Sequence, residues 1–195
     1  METQTDLSLI IDRRETSIEV FARIPAAILR PVFATDPAGL AGPDGRVWFG
    51  ALRETGTFDF GDAMISEVAF KADGAKAPFE AMSVMVHPAD NTLSFDDPID
   101  GNIAMSVCGV ADPVIPPTID ELTLYAGFIS YPVTADAALT LDLPNTRPVH
   151  VAVRQFMEGK ETAQDRFTVP ALGRLDLAPA PPRGWRAVVR DWWNA

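Results

Sequence analysis

Histidine is the usual general base at neutral pH and the commonest metal ligand, and this chain has only two, His87 and His150. His87 ends an apolar row before Pro88 and close to Asp90, where a metal or a proton-transfer pair could be assembled. His150 lies between Val149 and Val151, on the face it shares with Ala152 and Arg154. Neither belongs to an HxH or HExxH spacing, so each reads as an ordinary surface or hydrogen-bonded histidine.

Carboxylates offer more. The stretch Asp96-Asp97-Pro98-Ile99-Asp100-Gly101-Asn102 is the most ligand-like cluster, because calcium prefers several oxygen donors on a tightly turning backbone. Asp96, Asp97 and Asp100 are the candidate metal ligands and calcium the candidate ion; no other cofactor is expected. An EF-hand register starting at Asp96 sets Asp100 and Gly101 correctly, but Pro98 and Val107 fall where two ligands should be. A solvated turn is the simpler state. With His87 and Asp90, these three carboxylates are the group that a carboxylate-based enzyme or sugar-binding module would use.

Other motifs fail on context. Gly39, Gly42 and Gly45 are spaced like parts of a phosphate loop, but Pro43 and Asp44 interrupt them and an aromatic strand is expected next, which supplies no helix N-terminus. Ser106 has no G-x-S-x-G setting, and Cys108, the sole cysteine, has nothing basic near it in sequence to lower its pKa.

The C-terminal segment carries a different chemistry. Trp185, Val188, Val189 and Trp192 fall at i, i+3, i+4 and i+7, predicting a short amphipathic helix over 183–195 with Arg186 and Arg190 on its other side. Tryptophan and arginine are the side chains most enriched at interface hot spots. Trp185, Arg186, Val189, Arg190, Trp192 and Trp193 are therefore the candidate partner-binding residues, for a protein partner or self-association.

The elements that must position these groups are mostly strands. Alternation predicts a hairpin from Asp6 to Ile24, with a charged turn at Arg13-Arg14-Glu15. A helical turn at 26–30, stopped by Pro31, an aromatic strand at 46–52 and extended pieces around Phe58, Phe60 and 64–71 follow. Asp73-Gly74 should turn the chain into a strand at 79–87. Ile103 to Val110 reads as a buried strand, and 111–118 as a linker that allows a subdivision. Thr118 and Glu121 have capping-box spacing before a strand at 122–131. Segments 138–143 and 149–156 read as a hairpin, 158–165 as a charged loop, 166–169 and 173–177 as final strands.

The expected fold class is thus mostly β, an antiparallel β-sandwich or jelly-roll-like domain over 1–182 with the C-terminal helical segment beyond. With 195 residues, 47% hydrophobic and 22% charged, the chain can bury one core. Its 17 scattered prolines leave little room for long helices. A net charge of −11 repels phosphate backbones and anionic lipid, so neither nucleic acid nor membrane insertion is expected. The polar, acidic start contains no signal peptide to read, which makes the cytoplasm or the interior of a larger assembly the expected location. The functional expectation is a non-enzymatic binding or assembly protein, for instance a virion or tail component; the alternative is a carboxylate-based, calcium-dependent carbohydrate-active enzyme or sugar-binding module.

Overall fold

The computed structural model describes residues 6–55, 57–91, 93–106 and 112–179. Strand accounts for 42% and helix for 21%, which bears out a mostly-β chain.

The chain begins with the expected hairpin, β1 (Leu7–Arg13) and β2 (Ile18–Pro25). Ile18, Val20, Ala22 and Ile24 line one face of β2, yet Glu19 and Phe21 on the other face are buried too. That double burial means the sheet is covered on both sides. A 3-10 turn, Ala26–Ile28, runs into α1 (Leu29–Val32), and Pro31 sits inside α1 instead of stopping it. So early in a helix, its missing N–H costs no bond.

Two expected strands are helices. Of the aromatic stretch at 46–52, Arg46 makes only an isolated bridge to Thr118 and residues 49–52 enter α2 (Phe49–Thr55), while the extended piece around Phe58 and Phe60 becomes α3 (Phe58–Ser66). Gly61 is the reason α3 fits: a Cβ there would lie 2.7 Å from Val84 Cγ2, so only a glycine lets the helix press this close to β5 (Glu80–Pro88). Met64 and Ile65 then enter the core. Tertiary packing overrides the β-propensity of the aromatics.

Between α3 and β5 run β3 (Ala69–Ala72) and β4 (Ala75–Lys76), joined by Asp73 and Gly74 at φ 49° and 79°. After β5 comes α4 (Pro98–Ser106), which replaces the start of the strand expected at 103–110. A 3-10 turn at Ile119–Glu121 is closed by Glu121 Oε2 accepting from Thr118 N at 2.9 Å and Thr118 Oγ1 at 3.0 Å, as the capping-box spacing predicts. The chain then forms β6 (Leu122–Ser130), β7 (Leu139–Asp142), β8 (Val149–Met157), β9 (Lys160–Val169) and β10 (Arg174–Leu177).

These strands make two sheets, one in the order β5-β6-β2-β1-β8-β9 and one in the order β10-β7-β3-β4. Every pairing is antiparallel except β1 with β8. The expected hairpin between 138–143 and 149–156 therefore does not form: β7 and β8 lie in different sheets. The corner between them is held by buried Asn145, whose Nδ2 donates to Arg147 O and Pro170 O, both at 2.7 Å. The segment read as a charged loop at 158–165 is mostly β9, turned back on β8 by Glu158 and Gly159 at positive φ.

One apolar cluster joins Val20, Ala22 and Phe128 of the larger sheet to Phe70, Leu141 and Leu175 of the smaller. A second, on the larger sheet's opposite face, gathers Ile10, Phe21, Tyr125 and Phe156 under Ala104 and Met105 of α4. Strands before and after 111–118 pair in both sheets, β1 with β8 and β3 with β7. Among the described residues no helix is long and apolar enough to cross a membrane.

Candidate functional site

The candidate site is built where β1 and β2 turn. Asp12 and Glu19 sit opposite each other across that ladder, only 5% and 6% exposed. Two carboxylates so placed repel one another. Arg14 answers them: its Nε donates to Asp12 Oδ2 at 3.1 Å, and its Nη2 lies 2.8 Å from Glu19 Oε2 as an ion pair that lacks the alignment of a hydrogen bond. Asp12 Oδ1 has no partner among the described residues. Burial holds the Glu19 carboxyl above its ordinary value, with Arg14 pulling it down and Asp12 pushing it further up.

Above this pair the chain enters α4. Asp97 Oδ1 accepts from Asp100 N at 2.9 Å, which is an N-cap, and Asp100 Oδ2 reaches back to Asp96 N at 3.0 Å and Ser94 Oγ at 2.6 Å. Those bonds hold the Asp100 carboxyl below the usual carboxylate range. Asp96 Oδ1 takes Arg154 Nη1 at 2.7 Å, while Arg154 Nε goes to Glu161 at 2.9 Å. The structure thus does bring Asp96, Asp97 and Asp100 together, and engages each with donors of the protein itself. Among the described residues, no group of three or more His, Cys, Asp or Glu side chains is arranged to hold a metal ion.

Between the Arg14-Glu15 turn, the Glu158-Gly159 turn and the outer side of α4 lies an open groove of about 740 Å³. Its charge is lopsided: among its described lining residues Asp12, Glu15, Asp97 and Glu158 are set against Arg14. Along its α4 wall stand Ile99 and Ile103, one helical turn apart and 69% and 52% exposed. Sequence reasoning found only Asp97 of these. The alternation did set Asp12 and Glu15 beside a turn, but nothing in spacing shows that a second turn 140 residues further along the chain closes the same groove, roughly.

On the opposite side of the same strand ends, Arg13 is fully buried with all five donors used. Nε and Nη2 share Gln155 Oε1 at 3.1 and 2.9 Å, and the others reach Ala135 O, Ala137 O and Leu177 O at 3.1, 2.7 and 3.2 Å. Burial pushes its pKa down to about 10, with Asp136 drawing it back up, so it stays charged at neutral pH. Gln155 Nε2 donates to Ala178 O at 3.3 Å. Together they pin the chain where it leaves β10.

The histidines are apart. His87 is 1% exposed under α4, its Nε2 3.1 Å from Ala104 O and its ring edge-on to Tyr125, with Nδ1 unpartnered; it bonds Ala104 and not the exposed Asp90. Burial holds it below the ordinary histidine value. His150 Nδ1 lies 3.2 Å from Thr168 Oγ1, on the other side of β6, β2 and β1, roughly 19 Å away at ~4.8 Å per strand. They form no pair. Trp185, Arg186, Val189, Arg190, Trp192 and Trp193, with the helix expected there, lie outside the described residues, as do Cys108 and the rest of the strand expected at 107–110.

No protein-family model matches this chain, and no curated protein matches it.

Proposed function

We propose that this chain is a non-enzymatic binding or assembly protein, a β-sandwich subunit of a larger complex of the virion or tail kind, which grips a protein partner at the groove over Asp12. The observation that carries this reading is the pair Ile99 and Ile103, left open on α4 beside a groove rimmed by carboxylates. Apolar side chains grouped at a concavity are what a docking surface offers, and covering them is worth roughly 25 cal/mol per Å². The rim favours a partner with basic side chains and repels an acidic one. The C-terminal segment supplies a second contact of hot-spot composition, through Trp185, Arg186, Val189, Arg190, Trp192 and Trp193.

The test compares the full chain with Ile99→Asp/Ile103→Asp, whose positions lie outside the core. Partner recovery, or the oligomer mass by light scattering, should fall in the variant. Equal recovery and equal mass for both proteins would sink the reading.

A carboxylate-based enzyme or sugar-binding module is favoured by one separate observation. Asp12, on the groove wall, is paired across the ladder with buried Glu19, whose carboxyl burial holds above its ordinary value, and a carboxyl so raised is the kind that serves as the acid in glycoside chemistry. None of the described residues lining the groove is aromatic, so among them a sugar ring finds nothing to stack on. Sugar release or binding by the wild type that Asp12→Asn abolishes would support it. A thermal-shift scan with calcium tests the metal-dependent version through Asp96, Asp97 and Asp100, and no stabilisation would end it.

A further inference from the structure

We infer that, until a partner displaces it, the groove is held by the chain's own C-terminal segment, residues 183–195, docked in cis; this rests on reading the groove as a docking face. The exit point comes first. Arg13 holds Leu177 O and Gln155 holds Ala178 O, so the chain is fixed at the ends of β1 and β8. The next residues beyond those strand ends, Arg14-Glu15 and Glu158-Gly159, are the groove's own walls. Reaching it means rounding one edge of the sheet, on the order of 10 Å, whereas residues 180–195 can span on the order of 50 Å.

Charge is matched as well. The groove sets four carboxylates against Arg14, and the segment sets Arg183, Arg186 and Arg190 against Asp191. Apolar chemistry agrees, since Trp185, Trp192 and Trp193 are of a kind to cover Ile99 and Ile103. The third observation is Asp12 Oδ1, an acceptor without a partner among the described residues, on a side chain over nine-tenths buried at the groove wall. With Oδ2 already taken by Arg14, this oxygen calls for one more donor, and an arginine of the segment supplies it. Pro179, Pro181 and Pro182 restrict the intervening backbone, which lowers the entropy lost on docking.

The experiment uses the full chain carrying Trp48→Phe, so that emission reports only Trp185, Trp192 and Trp193. Trp48 is a surface residue bonded to Asp44 and outside the groove. Acrylamide should quench this protein weakly. Adding Ile99→Asp/Ile103→Asp or Asp12→Asn should raise quenching by about threefold or more, as a complex held at an effective concentration of order millimolar opens. Circular dichroism confirms that each variant is folded. Quenching should also stay constant on dilution from roughly 100 µM to roughly 1 µM, because cis docking is independent of concentration. Equal quenching with and without the groove substitutions would overturn the inference, and so would protection lost on dilution, which assigns the groove to a second copy. Arg183→Glu/Arg186→Glu/Arg190→Glu separates the two ideas. It should release the tryptophans while leaving the groove surface intact, so a partner that still needs Ile99 and Ile103 keeps the docking face even where the cis contact fails.

Discussion

Arg13 and Arg14 are neighbours of one type with opposite fates. Period-two alternation places position 13 in line with Leu7, Leu9 and Ile11 on the inward face, while its charge argues for the surface. Pattern won over residue type, because Gln155 and three carbonyls wait at the same spot to take every donor. Those acceptors come from residues 135–177, so no local signal announces them. Replacing Arg13 with Met leaves them unpaired in the interior, and urea denaturation should show a loss of about 3–5 kcal/mol. Glu19 and His87, both buried, respond to pH with opposite signs. Glu19 binds its proton more tightly when folded, so its stabilisation is present at acid pH and lost as pH rises through the raised value. Glu19→Gln should therefore be more stable than wild type at neutral pH, with the advantage shrinking as both become uncharged in acid. His87 has the reverse sign: the folded state resists the proton, so stability is full above the ordinary 6.5 and lost as pH falls below it. Comparing urea midpoints at about pH 7 and about pH 5.5, His87→Gln should flatten that loss; an unchanged slope would exclude His87 as its source.

At the level of elements, α4 is the instructive case. Asp97-Pro98-Ile99-Asp100 contains an N-cap, a proline at the first helical position and an acid at the third, all of which announce a helix start. The same residues read as a calcium loop because both devices put carboxylates on a turning backbone. Gly101 tipped the balance towards a turn, yet its role is contact: a Cβ there would lie 2.6 Å from Phe21 Cγ, so the glycine lets α4 settle on β2. Gly101→Ala should lower the thermal midpoint, since overpacking at about 1–3 kcal/mol outweighs roughly 1 kcal/mol of helix propensity gained. Asp97→Ala should cost about 1 kcal/mol through the lost cap, and a neutral result at either position would mean that α4 is not held as described. Strands were more legible than their partners. Leu139, Leu141 and Leu143 and the Val149–Phe156 run each showed their alternation, but alternation cannot say which neighbour a strand pairs with.

For the molecule as a whole, a mostly-β chain could be read from the two-residue rhythm, whereas the interleaving of the two halves could not. Residues 111–118 resemble a linker by their prolines, and Val114 and Ile115 are 100% and 72% exposed. The strands on either side nevertheless share both sheets. Cleavage of the native chain between Asp112 and Pro117 should leave two fragments that co-elute and keep their β spectrum; fragments that separate without denaturant would show two independent modules. The anchoring of Leu177 and Ala178 by Arg13 and Gln155 has a mechanical consequence. A pull applied beyond residue 179 is not spent on unzipping the four-residue β10 from its edge. It is handed sideways to β1 and β8 inside the six-stranded sheet, so whatever tethers this chain by its C-terminal end strains the best-braced strands of the molecule.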